Sequence, residues 1–120
     1  AGRETRLEVE PGLRLPMEKL APLGLAVTEL VTNALKYGAG PVTVTCRRGP
    51  EGLELAVEDQ GPGFPPGFDP ARSRGLGMRL SLGLVRHHHG RLEIDRTAPG
   101  GRVVLILPDE EAGAAPAGPH

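Results

Sequence analysis

Aromatic side chains are nearly absent from this chain of 120 residues, which has no Trp, one Tyr and two Phe. Without ring platforms on which bases could stack, it is not built as a single-stranded nucleic-acid binder. A surplus of either charge is missing too. The 14 basic and 15 acidic residues leave a net charge of −1, so no field exists to gather a polyanion. The single cysteine, Cys46, rules out an internal disulfide framework, speaks against a Cys-rich zinc site, and fits a reducing cytosol. No apolar run approaches the roughly 18 residues that span a bilayer, and no apolar stretch follows a basic patch at the start. The expectation from these gaps is a soluble, cytoplasmic unit that touches neither nucleic acid nor membrane. The chain begins with Ala1 and not Met, which reads as a piece of a longer protein whose sensor or membrane segments lie elsewhere.

Backbone punctuation, in contrast, is plentiful. With 18 Gly and 13 Pro the composition approaches low-complexity disorder. Leu, Val, Ile and Phe still supply about a quarter of the residues, above the roughly 20% below which chains stay disordered. One domain with an aliphatic core is expected at this length.

Thr5 to Glu10 alternates and places Leu7 and Val9 on one face, so a strand is expected there, ended by Pro11-Gly12. From Met17, Leu20, Leu23, Val27, Leu30, Val31 and Ala34 recur at helical spacing, with Gly38 as the expected C-terminal stop. Pro22 suits a first helical turn, which makes Met17 to Ala21 either a separate turn or a kinked lead-in. Pro41–Arg47 and Leu53–Val57 alternate and read as an antiparallel hairpin across Arg48–Gly52. Asp59 to Arg74 is too rich in Gly and Pro for a regular element and has the length of a functional lid, expected to be mobile when empty. A second helix is expected over Leu76–His89, closed by Gly90, then strands over Arg91–Arg96 and Arg102–Leu107. Residues 1–108 form the domain in this reading, and 109–120 a disordered tail or linker. Two helices, each with one apolar stripe, on one face of a mixed five-stranded sheet give an α+β two-layer sandwich.

Chemistry concentrates in three places. Glu29, Asn33 and Lys36 form one polar stripe on the first helix, suited to a hydrated magnesium ion and a phosphate, though such stripes are more often a solvated face. Glu58-Asp59-Gln60-Gly61-Pro62-Gly63-Phe64 follows a strand. There an ionised Asp59 could accept from an exocyclic amine while Gly61 and Gly63 admit a flat ring, or the segment could be an Asp-initiated turn. Ser73-Arg74-Gly75-Leu76-Gly77-Met78-Arg79 opens the last helix with free amides and flanking arginines, a phosphate cradle or a plain hinge. It lacks the Walker pattern. His87, His88 and His89 point about 100° apart on a helix and cannot converge on one ion, so they read as a helix end. Cys46 alternates in phase with Val42 and Val44, as a buried hydrophobe would. Ser73 and Ser81 are the only serines, and neither forms a compelling Ser-His-Asp set.

Taken in order, these segments resemble the ATP-binding domain of sensor histidine kinases, gyrase-type topoisomerases and related ATPases, the GHKL or Bergerat superfamily. Thr28-Glu29-Leu30-Val31-Thr32-Asn33-Ala34-Leu35-Lys36-Tyr37-Gly38 resembles the asparagine box, Glu58 to Phe64 the first glycine box, and Gly75-Leu76-Gly77-Met78 the second. The likeness spans about residues 5 to 108. With Pro22-Leu23-Gly24-Leu25 and a short lid lacking an evident phenylalanine box, the chain is similar to HWE-like histidine kinases. The resemblance implies that Asn33 ligates Mg²⁺, that Asp59 accepts from the adenine amine, and that Lys36 meets phosphate. It further implies that Tyr37, Gly61, Gly63, Arg74, Gly75, Leu76, Gly77 and Met78 line the nucleotide site. Glu29 sits where related ATPases carry a water-activating base; in kinases it would orient the metal or polarise the acceptor imidazole. Where Gly-Thr is common after the lid helix this chain has Gly100-Gly101-Arg102, so a hydroxyl contact is missing.

The implied function is binding of Mg·ATP and donation of its γ-phosphate to a histidine on a separate helical dimerisation domain of the same full-length protein, with a response regulator downstream. No histidine precedes His87, so the acceptor must come from elsewhere. The alternatives are an anti-sigma-factor serine kinase of the same fold, a non-catalytic nucleotide-binding or interaction module, and a small gyrase-like ATPase.

Overall fold

The computed structural model describes residues 4–72 and 75–108. The alternating segments become strands: β1 (Thr5–Val9), β2 (Val42–Gly49), β3 (Gly52–Glu58), β4 (Arg91–Ile94) and β5 (Arg102–Pro108). They form one mixed sheet in the order β1-β2-β3-β5-β4, with β1 parallel to β2 and every other pair antiparallel. The helices are α1 (Met17–Tyr37) and α2 (Leu76–His87). Alternate residues of β2, β3 and β5, among them Val42, Val44, Leu55, Val103 and Leu105, join Leu23, Ala26, Leu30, Met78 and Val85 of the helices in one buried core. This is the expected open sandwich, helices on one face. Cys46 is part of that core, and burial pushes its thiol above the usual range.

Several local expectations are corrected. Met17–Ala21 is not a separate turn but the start of α1, which continues through Pro22. Pro22 withholds one amide from the carbonyl of Glu18, and Glu18 is exposed, so water can take that acceptor. The β2–β3 link is tighter than expected, with only Pro50 and Glu51 between the strands. At the end of α2 it is His89, not Gly90, that adopts the left-handed conformation, at φ 60°. The Gly90 N–H bonds the Val85 carbonyl and the His89 N–H that of Arg86, the paired bonds of a Schellman cap. Gly90 is required for a different reason: a side chain there would collide with the Ile106 carbonyl of β5.

The segment after β3 carries more structure than its composition promises. Phe68 N–H donates to the Pro65 carbonyl at 3.0 Å, and Gly67 at φ 78° supplies the positive φ of a type II turn. A single 3₁₀ turn follows over Pro70–Arg72, where Asp69 accepts the N–H groups of Ala71 and Arg72.

The outer face of the sheet holds a smaller buried patch, Ala56, Val104 and Ile106. Ion pairs cross the same sheet: Arg91 with Glu51 and Glu93, Arg47 with Glu54, and Arg102 with Asp95 and Glu58. β1 is exposed along its whole length. Leu7 pairs with core-facing Val44, yet is 69% exposed because it lies beyond the cover of the helices. No helix among the described residues is long and apolar enough to cross a membrane. Residues 109–120, read above as a tail, lie outside the described residues.

Candidate nucleotide-binding site

The end of β3 is held from two sides. Asp59 N–H donates to the Gly101 carbonyl at 2.9 Å, and Gln60 N–H to the Ala39 carbonyl at 2.8 Å, joining the strand to the start of β5 and the end of α1. The Asp59 side chain turns into the angle between them. Its Oδ1 accepts from the Gly61 N–H at 2.7 Å, so the Asp-initiated turn forms. Asp59 also stands in the wall of a cavity.

Glycines make room for that carboxylate. A Cβ on Gly38 would overlap the Asp59 carboxyl group, and one on Gly101 would come within 2.7 Å of Oδ2. Gly38 is the expected stop of α1, without the left-handed turn common at such glycines. Its backbone is extended instead, at φ −96° and ψ −160°, and its need for glycine comes from contact with Asp59. Gly61 packs likewise on the end of α1, where a Cβ would lie 2.9 Å from the Gly38 Cα.

The cavity encloses about 520 Å³. Leu30, Ala34, Val57, Met78 and Val103 give it an apolar base, and Phe64, Pro65 and Phe68 an apolar side. The two phenylalanine rings stack with centroids 4.9 Å apart and planes 27° from parallel. Polar character enters at Asp59, at the amide of Asn33 and at the Tyr37 rim. A largely apolar slot with one carboxylate fixed by backbone contacts suits a flat heterocycle that offers a donor at its edge.

A family model described as histidine kinase-, DNA gyrase B-, and HSP90-like ATPase matches residues 18–111. The chain belongs to this family. Among curated members of this ATPase family it is similar to the signal transduction histidine-protein kinase AfsQ2 of Streptomyces coelicolor, at 31% identity over 115 residues. It is also similar to the sensor histidine kinase GtrS of Pseudomonas aeruginosa, at 37% over 102 residues. These matches cover 84% and 72% of this chain, which spans only 21% of the length of each kinase. Among solved structures, the histidine kinase domain of Erythrobacter litoralis EL346 superimposes with a TM-score of 0.74 at 27% identity, covering 90% of this chain and 52% of that one. The ATP-binding domain of PrrB from Mycobacterium tuberculosis gives 0.67 at 30% identity, covering 87% and 79%. This is therefore an ATP-binding domain of histidine-kinase type.

Within this ATPase fold, the cavity gathers Asn33, Tyr37, Asp59, Gly63, Gly75 and Met78 from the expected set. Glu29, Lys36, Gly61 and Gly77 lie outside its wall. Lys36 is exposed and Glu29 half-buried on α1; Leu76 opens α2. Arg74 and Ser73 lie outside the described residues. Gly77 has a packing role: a Cβ there would lie 2.8 Å from Asn33 Nδ2 and 3.1 Å from the Glu29 carbonyl oxygen, so glycine lets α2 close onto α1. Ser81 is fully buried in α2, and its Oγ has no hydrogen-bond partner among the described residues.

Two features escaped the sequence reading. Phe64 and Phe68 form the apolar side of the cavity, and the signal was available in their being the chain's only phenylalanines, both in the lid. Arg102 does not stand in for the missing hydroxyl. Its guanidinium bonds Asp95 at 3.0 Å and approaches Glu58 at 3.5 Å, because β5 register sends residue 102 to the face opposite Val103. Asp95 in turn is held below the usual carboxylate range, first by the Thr97 hydroxyl and N–H and then by Arg102.

Proposed function

We propose that this domain holds Mg·ATP under the segment from Phe64 to Arg74 and serves a sensor histidine kinase of HWE-like type. The observation that carries the reading is the Asp59 carboxylate, fixed by Gly61 and packed on Gly38 and Gly101, in the wall of a largely apolar slot. Asp59 accepts from the adenine amine, and Phe64 and Phe68 flank the ring. The N-terminus of α2 and Lys36 receive the phosphates.

A divalent ion fits the donor set only if the nucleotide supplies most of its ligands. Among the described residues no group of three or more His, Cys, Asp or Glu could hold a metal. The hard oxygen of the Asn33 amide, one turn from Glu29, suits Mg²⁺, which keeps water and phosphate as its other ligands. When bound, the ion offsets charge on the phosphates.

The chain's own part is positioning. It presents the γ-phosphorus to an imidazole nitrogen of a helical dimerisation domain in the same full-length protein. There an N–P bond forms, the P–O bond to ADP breaks, and the nitrogen gives up its proton. Glu29, beside Asn33, is the carboxylate able to polarise that imidazole. A response regulator then takes the phosphoryl group, and the unit, spanning 1–108 with 109–120 as linker or tail, works in the cytoplasm.

Calorimetric titration with Mg·ATP and Mg·GTP tests this reading. ATP should bind and GTP should not, and Asp59→Asn should weaken ATP by about 1.5–3 kcal/mol, the range for a hydrogen bond to a charged group. Equal binding of both nucleotides, or indifference to Asp59→Asn, would sink it.

A further inference from the structure

The turn between β4 and β5 touches the nucleotide cavity twice. Its end, Gly100-Gly101, packs on Asp59 and accepts the Asp59 N–H. Its start carries Arg96, whose guanidinium reaches across to the lid. Nη2 donates to the Phe68 carbonyl at 2.7 Å and Nη1 to the Pro65 carbonyl at 3.4 Å. Those carbonyls bracket the type II turn that holds Phe64 and Phe68 in their stack against the core.

The reach of Arg96 is itself fixed. Asp95 accepts the Thr97 N–H at 3.0 Å, the Thr97 hydroxyl at 2.6 Å and the Arg102 guanidinium at 3.0 Å, while its own N–H donates to the Arg102 carbonyl. The turn is thus tied to β5 before Arg96 leaves it. On the other side the lid turn is flanked by Gly63 at φ 84° and contains Gly67 at φ 78°, positions at which the backbone can swing.

We infer that Arg96 is a positioning residue for nucleotide binding, pinning the Phe64–Phe68 side of the cavity through the carbonyls of Pro65 and Phe68. This rests on the proposed function, since its effect on affinity requires that the cavity hold ATP. The planar guanidinium suits the task because its forked donors serve two carbonyls at once, whereas a lysine ammonium offers no such fork. A single connection, 95–101, then sets both the polar wall at Asp59 and the apolar wall at the phenylalanines.

The chain's only phenylalanines are these two, so 4-fluorophenylalanine labels the pinned turn and nothing else. In the wild-type chain the ¹⁹F spectrum should show two resonances displaced from the unfolded position, both moving when Mg·ATP is added. In Arg96→Ala they should shift toward the unfolded position before any nucleotide is present, and ATP affinity should fall about fivefold, as loss of hydrogen bonds at an exposed site implies. Arg96→Lys should fall between. Arg91→Ala, which breaks an ion pair on the outer sheet face, should leave both readouts unchanged. Unaltered ¹⁹F spectra and affinity in Arg96→Ala and Arg96→Lys overturn the inference. If the wild-type chain binds no ATP, the nucleotide reading and the affinity half of the inference fall together, and the nucleotide-free spectra still decide whether Arg96 pins the turn.

Discussion

The carboxyl group of Asp59 occupies the space that a side chain on Gly38 would need. The last residue of the α1 region and the first after β3 are therefore one fitted pair. Gly38→Ala should displace the carboxylate and cost ATP affinity about as much as Asp59→Asn, near tenfold or more. The backbone at Gly38 is extended and open to alanine, so the fold should persist. Calorimetry beside a thermal melt separates the two effects. A variant that binds ATP normally would break the proposed coupling.

Gly77 makes a second prediction, on the other side of the cavity. Alanine there meets the Asn33 amide and the Glu29 carbonyl, forcing the helices apart or Asn33 aside. Overpacking of this kind costs about 1–3 kcal/mol. Binding of Mg·ATP should weaken more than binding of metal-free ATP, because Asn33 is the proposed ion ligand. Equal losses in both titrations would remove Asn33 from that role.

How far these sites could be read in advance depended on whether their cause is local. Alternation over 42–47 and 53–57 gave the hairpin, and helical spacing from Met17 gave α1, since each pattern is settled by neighbours in sequence. The cavity residues Asn33, Asp59, Gly75 and Met78 were legible as ordered motifs. Gly38 and Gly77 were recognised as glycines of those motifs but assigned to capping and phosphate contact. Their actual constraint is a side chain or carbonyl brought in from another element. Arg96 carries no local signal, and the path of Arg102 was decided by strand register.

Ser81→Ala should stabilise the domain. The buried hydroxyl finds no partner among the described residues, so removing it relieves a desolvated polar group and adds a better helix former. A gain of about 1 kcal/mol is expected from denaturant titration. A loss of stability would mean that the hydroxyl is bonded through a water molecule.

The cap of α2 offers another gain. His89→Gly removes the strain of a left-handed side-chain-bearing residue, worth about 1–2 kcal/mol, against a glycine entropy cost of about 0.5–1 kcal/mol. The melting temperature should rise by a few degrees, and a fall would show that the imidazole contributes packing of its own.

Asp95 and Glu51 both titrate below the usual carboxylate range, Asp95 through Thr97 and Glu51 through Arg91. Since the folded values lie below the unfolded ones of about 4, their stabilising effect is complete at neutral pH and is lost as pH falls through the folded values. Melting temperature should be insensitive to these groups between about pH 6 and 8 and drop on acidification below about pH 4. Thr97→Val should lower the neutral plateau and make the acid limb shallower. An acid limb unchanged in that variant would exclude Asp95 as a contributor.

The hydrogen bonds that run from Asp59 to Gly101 and from Gln60 to Ala39 join parts of the chain that are distant in sequence. The proposed adenine pocket therefore needs α1, β3 and β5 all in place. A nucleotide held there, as proposed, recognises only the finished assembly, so its binding energy is also folding energy. At one hundred times its dissociation constant ATP would add about 2.7 kcal/mol to the unfolding free energy. On the proposed function, nucleotide supply and survival of the domain against proteolysis are one equilibrium, and ATP is a fastener of the fold that holds it.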